Sequence, residues 1–419
     1  MLRTYLRFVL QSVLGMLGLS VYILADTFFI ANYIGADALA ALNLALPVYG
    51  IINGTGLLIG IGGATRYTIC RTRKSGSCGS AFSGSLLLAA AAALVFVCAG
   101  LFFSDAIARL LGASGGVLEP ATVYLRVCCL FSPLFLLNNI LVAFTRNDNA
   151  PGRGMAAMLI GSFANIVMDW YLVCIAGMGM FGAVLATGMS PVFGIAVCLC
   201  RRRGYRPARA GIFAEIPQIF GAGFSAFVGE LSSTVVILVF NYLLLALAGN
   251  TAVAAYGIIA NVALVATAML TGAAQGAQPL FSRAFAGGDA GALRRLTRWG
   301  ACTALLLGAA FSAAALLLPD AIVSVFSRGD AALAVPGLTL YFTNYLFSGV
   351  SLLFTARLAA TERAKPAALL SLLRGVVLVV PCALLGAAAG GVTGLWLAVP
   401  AAELLTLIAG LLLVRRESR

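Results

Sequence analysis

The sequence predicts an all-α protein that crosses a membrane twelve times, in two pseudo-symmetric bundles of six helices. Three observations point to this fold class. The chain is 62% hydrophobic and only 10% charged, so its apolar residues cannot all be hidden inside one water-soluble globule. Long apolar runs recur along the chain, and the basic residues cluster in alternate connections between them. Two stretches of the chain also share a common pattern.

Each predicted span is an apolar run long enough to cross the hydrocarbon core of a membrane. A transmembrane helix needs roughly 20 mostly apolar residues, whereas the strands of a membrane β-barrel have about ten residues of alternating polarity. The first run leads straight into further spans and lacks the small-residue exit of a cleavable signal. The predicted spans are residues 6–34, 38–65, 80–103, 121–144, 152–176, 180–201, 218–247, 251–280, 300–318, 334–360, 366–386 and 392–414.

The placement of the basic residues predicts the orientation, because Lys and Arg beside membrane helices concentrate on the cytoplasmic side. Arg3 precedes the first span and Arg7 lies at its start, and basic clusters follow the even-numbered spans. The largest of these clusters contains Arg201, Arg202, Arg203, Arg206 and Arg209. We therefore expect both termini to be cytoplasmic and the net charge of +13 to reflect topology, with membrane lipid around the chain and no nucleic-acid partner.

Several kinds of chemistry are absent from the sequence. No histidine is present, and the ten cysteines lie mostly inside apolar runs without repeated CxxC pairs, so we interpret them as small core residues. A membrane prenyl transferase would need paired Asp-rich loops to hold magnesium-diphosphate, and Arg146–Ala150 offers a single acid. We therefore expect no enzyme activity and no cofactor, and the carboxylates remain as the groups that carry the function.

The basic linker Arg201–Gly211 divides the chain into two predicted lobes, residues 1–205 and 206–419. Gly35–Thr65 and Gly249–Pro279 share a short turn, an Ala-rich run and glycines near the end. Duplicated six-helix halves are typical of carriers that work by alternating access. Close packing of small residues in membrane helices is the alternative source of such similarity.

The acids within the predicted spans are Asp26, Asp169, Glu230 and Glu403. A charged carboxylate at the bilayer centre costs roughly 2.5–3.5 kcal/mol, so each needs a partner, a proton or water. Asn165 precedes Asp169 by one helical turn and shares its helix face. We hypothesise that Asp26, Asn165 and Asp169, with the hydroxyl of Thr187, bind Na⁺ or share a proton. The alternative is a structural hydrogen-bond network between helices.

The other polar residues in the spans allow more than one interpretation. Glu230 either receives a cationic substrate or satisfies polar groups of neighbouring helices. Arg374 and Glu403 are interpreted as a structural ion pair, because a buried base and acid in one half neutralise each other most simply. The candidate lining of a hydrated, substrate-binding cavity consists of Tyr22, Asn53, Tyr256 and Gln275, together with Glu230.

The combination of motifs across the chain resembles the multidrug and toxic compound extrusion (MATE) transporters, especially the branch of MepA-like efflux proteins. The matching stretches are Ala25–Val48, Phe144–Val173, Gly179–Thr187, Ser225–Asn241, Ala252–Val265 and Gly272–Gly288. A small departure is Asn149, where the family commonly has glycine. No acid stands in span ten, where some relatives keep one, which argues against a sodium site wholly in the second lobe.

The resemblance implies two six-helix lobes in a V arrangement that export cationic drugs in exchange for H⁺ or Na⁺. It implies that Asp26, Asn165, Asp169 and Thr187 carry the coupling, and Glu230 matches an acid of the second lobe in several members. We expect a monomeric antiporter of amphipathic organic cations in the bacterial cytoplasmic membrane. A flippase for lipids or lipid-linked oligosaccharides is the alternative, and its polyphosphate cargo would need several arginines in the cavity.

Overall fold

The computed structural model describes residues 1–74, 78–200, 205, 207–208, 210–326 and 333–417. Within these ranges every regular element is helical, as predicted. The arginines of the basic linker, Arg201–Arg203, Arg206 and Arg209, lie outside the described residues. Contacts divide the chain into a first unit, Leu14–Glu230, and a second unit, Met1–Val13 with Leu231–Arg419. The predicted division into lobes 1–205 and 206–419 stays a prediction.

Seven α-helices precede the linker. They are α1 (Leu2–Phe29), α2 (Ala36–Arg73), α3 (Gly79–Leu110), α4 (Leu118–Leu130), α5 (Ser132–Asn147), α6 (Pro151–Asp169) and α7 (Gly179–Leu199). Two of them continue into a wider π-helical turn, π1 (Ile30–Ile34) after α1 and π2 (Trp170–Ile175) after α6. A short 3₁₀ turn, Gly115–Val117, leads into α4.

The helices after the linker include two that are broken by a glycine. They are α8 (Ile212–Ala286), α9 (Ala290–Leu317), α10 (Pro319–Phe326), α11 (Ala334–Phe342), α12 (Tyr345–Ala360), α13 (Ala364–Leu372) and α14 (Val379–Glu417), with the π-helical turn π3 (Leu373–Val377) after α13. Gly249 in α8 has φ 70° and Gly391 in α14 has φ 57°. Glycine reaches this left-handed region without the steric cost of a side chain, so the chain leaves the helix at both positions.

The number of membrane spans depends on how the broken helices are counted. Among the described residues, nine helical segments are long and apolar enough to cross a membrane, or eleven if two bent pairs each count as one span. One of the nine, Ala364–Arg415, has 52 residues and contains the break at Gly391. Gly386 and Gly394 contact each other there, although eight residues of straight helix span about 12 Å. The chain therefore turns back, and its two arms complete the predicted twelve spans.

Apolar side chains cover much of the surface, as expected of a protein whose solvent is lipid. Leu110 is 86% exposed, Phe102 is 75% exposed and Leu306 is 72% exposed. In water these side chains would form large exposed hydrophobic patches that favour aggregation. Their exposure agrees with an integral multi-pass membrane protein.

The two halves of the sequence repeat the same local distortions. The α4–α5 pair, taken from Gly115, bends by 50°, and the α11–α12 pair bends by 44°. The turn after α5 holds Asn149 at φ 64°, and the turn after α12 holds Glu362 at φ 60°. Asn tolerates the left-handed conformation at position 149 better than most residues do. These matched irregularities support the predicted duplication.

Close helix crossings built on glycine occur in both units. In the first unit, a Cβ atom at Gly62 of α2 would overlap the carbonyl oxygen of Ile219 on α8. In the second unit, a Cβ atom at Gly276 of α8 would lie 2.8 Å from the carbonyl oxygen of Phe8 on α1. Backbones approach this closely only where no side chain intervenes. Gly62 and Gly276 are the glycines that close the two similar stretches of sequence.

Candidate cation site

Asp26 lies on α1, one turn before the π-helical turn π1. Its side chain is buried, with 7% exposed, and its Oδ1 atom has no hydrogen-bond partner among the described residues. Single π-helical turns within longer helices occur frequently at functional sites. The structure thus places the acid of span one beside a local distortion of its helix and leaves one of its oxygens unpartnered.

Asp169 is the last residue of α6, immediately before π2. It is fully buried, and in the described part of the chain neither of its carboxylate oxygens has a hydrogen-bond partner. Asn165, also fully buried, donates its Nδ2 proton to Oγ1 of Thr187 at 3.4 Å, while its own Oδ1 is left without a partner. With Asp26 Oδ1, four buried oxygens are therefore free to bind a further group.

The oxygens belong to one neighbourhood of the first unit. The carboxylates of Asp26 and Asp169 interact electrostatically, and π1 contacts both π2 and α7, the helix that carries Thr187. A buried polar group left unsatisfied costs about 1–3 kcal/mol, and a charged one more. A proton shared by the two acids would relieve this cost, and so would a cation that prefers hard oxygen ligands.

The four predicted residues fit a sodium ion by the chemistry of their donor atoms. Two carboxylates, an amide oxygen and a hydroxyl are all hard oxygen ligands. Among the described residues, no group of three or more His, Cys, Asp or Glu side chains is suited to hold a metal ion. Sodium binding at Asp26, Asn165 and Asp169 therefore depends on the amide and the hydroxyl as well as on the two acids, and it stays a prediction.

Two tyrosines, Tyr22 and Tyr124, interact with the acids, and the sequence pointed to Tyr22. Tyr22 is 8% exposed, its hydroxyl lies 3.1 Å from that of Tyr49, and it interacts electrostatically with Asp26, Asp169 and Glu230. Tyr124 interacts in the same way with Asp26 and Asp169. Within an apolar run, Tyr49 and Tyr124 are indistinguishable from packing residues. Only the tertiary structure brings Tyr124 to the acids and Tyr49 to Tyr22.

Glu230 has an amide partner from α2. Asn53 donates its Nδ2 proton to Oε1 of Glu230 at 2.9 Å, and Asn139 donates its Nδ2 proton to Oδ1 of Asn53 at 3.0 Å. Two of the predicted substrate-binding residues, Asn53 and Glu230, are thus joined by a direct hydrogen bond. Asn139 was not predicted, although the adjacent amides Asn138 and Asn139 in an apolar helix were a usable signal.

Tyr256 and Gln275, the other predicted lining residues, lie in the second unit. Tyr256 is 2% exposed and belongs to an aromatic core, with its ring 5.2 Å from that of Phe240 and 6.1 Å from that of Trp396. Gln275 is half-buried on α8. The structure therefore places these two residues in a different unit from Asn53 and Glu230, and their contact with a substrate stays a prediction.

Arg374 and Glu403 form an ion pair in the second unit. Arg374 lies on π3 and donates its Nε proton to Oε1 of Glu403 on α14 at 2.6 Å. The Glu403 side chain is 5% exposed and that of Arg374 is 22% exposed. The buried charge of Glu403 thus has a fixed partner of opposite sign, which is the geometry of a structural pair.

Repeated halves and helical spans define a polytopic α-helical membrane protein built by duplication, with buried unpaired acids in its first unit. The sequence model of the MatE family matches residues 12–171 and, a second time, residues 225–385. The chain therefore belongs to the MatE family. The double match agrees with the repeated structural features of the two halves.

Curated relatives align with this chain over nearly its whole length. The multidrug export protein MepA of Staphylococcus saprophyticus is 28% identical over 428 residues, which cover 98% of this chain and 92% of the relative. MepA of Staphylococcus aureus strain MRSA252 is also 28% identical, over 422 residues that cover 98% and 93% of the two chains.

Solved structures share the fold. A multidrug resistance MATE family transporter of the MOP superfamily in an outward-facing conformation superimposes with a TM-score of 0.91 at 21% identity, covering 99% of this chain and 95% of that one. A MOP superfamily transporter from Pyrococcus furiosus, described as having a binding pocket of reversed polarity, has a TM-score of 0.90 at 20% identity with the same coverage. At this identity the likeness establishes the fold alone.

Proposed function

We propose that this protein is a secondary active antiporter that exports amphipathic organic cations in exchange for H⁺ or Na⁺. The observation that carries the proposal is the set of buried oxygens on Asp26, Asn165 and Asp169 that lack a hydrogen-bond partner among the described residues. A purely structural network would be expected to use these oxygens in hydrogen bonds between helices. The names of the MepA relatives support multidrug export as the direction of transport.

The chemistry of the site suggests how exchange is coupled. A proton or Na⁺ that reaches the two acids lowers their negative charge by one, and an organic cation held by that charge is then released. Release of the coupling ion restores the negative charge, which favours the next cationic substrate. Because π1 follows Asp26 and contacts π2, a change of charge at the acids acts directly on the distorted part of α1. Competition between ions and a two-state bundle are sufficient for coupling.

The remaining predictions fit this proposal. Positive-inside charge placement orients both termini toward the cytoplasm of a bacterium, and the scarcity of Lys, with only Lys74 and Lys365, is typical of a GC-rich bacterial genome. The two arginines of the predicted spans, Arg126 and Arg374, give no support to the flippase alternative. Arg126 is exposed and donates to Ser104 Oγ at 3.2 Å, and Arg374 is bound to Glu403.

The test is efflux of ethidium from liposomes that contain the purified full-length protein, under a proton gradient or a sodium gradient imposed separately. We expect one gradient at least to drive efflux, and Asp26→Asn to abolish it while the variant still inserts into the membrane. Asp105→Asn is the matched control, because Asp105 is exposed and pairs with Arg109 on its own helix. Undiminished efflux by the Asp26→Asn variant would refute the assignment.

A further inference from the structure

The sequence Asn53–Gly54–Thr55–Gly56 on α2 builds a small polar junction with α5 and α8. Asn53 donates to Glu230 through Nδ2 and accepts from Asn139 through Oδ1. All three side chains lie in the first unit and are half-buried. The junction is thus a directed chain of hydrogen bonds in which both ends of one amide are used.

The direction of this chain is linked to the charge of Glu230. An ionised carboxylate only accepts hydrogen bonds, so it needs the NH₂ end of the Asn53 amide. A protonated carboxyl still accepts through its unprotonated oxygen, but a hydrogen bond to the charged form is stronger, so an NH₂ group held toward Glu230 favours the ionised state. In the structure Asn139 donates to Oδ1 of Asn53 at 3.0 Å, which holds the NH₂ end of the Asn53 amide toward Glu230.

Two glycines make room for the ends of the chain. A Cβ atom at Gly56 would lie 2.6 Å from Nδ2 of Asn139, which is closer than real Cβ contacts allow. A Cβ atom at Gly54 would lie 3.3 Å from Cβ of Glu230. Gly54 and Gly56 follow Asn53 on the same helix, by one residue and by three residues. The local sequence therefore leaves space for the Asn139 amide on one side and for Glu230 on the other.

Two side chains of the described structure interact with Glu230. Asn53 is its hydrogen-bond partner from α2. From α1, Tyr22 interacts with it electrostatically and also with Asp26 and Asp169, so a phenol is shared between Glu230 and the candidate cation site. The charge of Glu230 is stabilised here by oriented dipoles.

We propose that Asn139 is a positioning residue that fixes the orientation of the Asn53 amide and thereby keeps Glu230 ionised to receive a cationic substrate. The inference rests on the proposed function for the charge of the substrate. The orientation of the amide and its effect on Glu230 are independent of transport.

The experiment is an infrared pH titration of the full-length protein in liposomes, in which the protonated-carboxyl band of Glu230 is assigned by its loss in Glu230→Gln. Asn139→Leu removes the donor at similar volume. A hydrogen bond to a charged group is stronger than one between neutral groups, and transmission through Asn53 weakens this effect. We therefore expect the midpoint of the band to move to higher pH by about one unit.

Asn138→Leu is the matched control, because it makes the same change at the adjacent position of α5, outside the hydrogen-bond chain, and should leave the midpoint in place. Gly56→Ala crowds the Asn139 amide without altering it and should move the midpoint in the same direction as Asn139→Leu. This second variant tests the proposal even if Asn139→Leu does not fold. An unchanged midpoint in whichever of the two variants folds, or an equal shift in Asn138→Leu, would overturn the proposal.

Binding of tetraphenylphosphonium, a permanent cation, gives a second readout. We expect Asn139→Leu to bind it several-fold more weakly at mildly acidic pH and to regain wild-type binding at alkaline pH, where Glu230 ionises without help. A purely structural loss would persist at alkaline pH and would contradict the proposal. If the infrared midpoint moves and no variant affects this cation, the amide mechanism stands and cation transport through Glu230 is refuted.

Discussion

The two π-helical turns π2 and π3 occupy corresponding places in the two halves but differ in their charges. Asp169 precedes π2, and in the described structure both of its carboxylate oxygens lack a partner. Arg374 lies within π3 and binds Glu403 at 2.6 Å. The same backbone distortion thus carries an unpaired acid in the first unit and a paired base in the second.

The difference suggests a division of work between the halves. A buried acid with a permanent partner is held in one charge state, because separating the pair would leave both charges exposed to a low dielectric. A buried acid without one is free to change its state when a proton or a cation arrives. We therefore infer that the first unit undergoes the charge cycle, whereas the pair in the second unit is structural.

The sharpest test of this comparison is Asp169→Asn. The amide removes the charge that would bind the coupling ion, so we expect gradient-driven ethidium efflux to fall by at least about tenfold, toward background. Thermal unfolding in detergent should show an unchanged or raised melting temperature, because a neutral amide is cheaper to bury than a carboxylate. Retention of full efflux would remove Asp169 from the coupling mechanism.

The same type of change in the second unit, Glu403→Gln, should lower the stability of the protein, whereas Asp169→Asn should lower its transport activity. It leaves Arg374 largely buried without its counter-charge, and breaking such a pair costs about 3 kcal/mol. We expect the free energy of unfolding in denaturant to fall by about this amount. The double variant Arg374→Met with Glu403→Leu should recover most of the loss. Wild-type stability in Glu403→Gln would show that the pair is not structural.

The two glycine crossings offer a comparison of packing. Adding a methyl group to a close contact costs about 1–3 kcal/mol, and the space at Gly62 is smaller than that at Gly276. We expect Gly62→Ala to lower the melting temperature more than Gly276→Ala does. Equal effects, measured side by side in the same detergent, would mean that the two crossings are equally tight.

The smallest effect is expected at Thr187. Thr187→Val keeps the shape of the side chain and removes the acceptor of the 3.4 Å hydrogen bond from Asn165. A hydrogen bond of this kind contributes about 1 kcal/mol, so the affinity for the coupling ion should fall about fivefold while the maximal efflux rate is kept. Thr339→Val is the control, because Thr339 bonds carbonyl groups of the second unit.

Local patterns in the sequence were sufficient for much of the fold. The predicted spans correspond to helices of the structure, and Gly62 and Gly276 were recognised as matching positions. Asn165 and Asp169 were placed on one helix face, because helical periodicity acts over a few residues. The bends between α4 and α5 and between α11 and α12, and the three π-helical turns, were not predicted, since their cause lies in packing rather than in a residue type.

The amino-acid sequence by itself determined that this chain is a helical membrane protein built by duplication. It also determined that four acids lie within the spans, where each needs a partner, a proton or water: Asp26, Asp169, Glu230 and Glu403. Hydrophobicity and charge placement are properties of single residues and short windows, so they are legible without a structure. Only the tertiary structure decided which acids have partners. Asn139, Asn53 and Glu230 are far apart in the chain, and their hydrogen bonds exist because α2, α5 and α8 pack together.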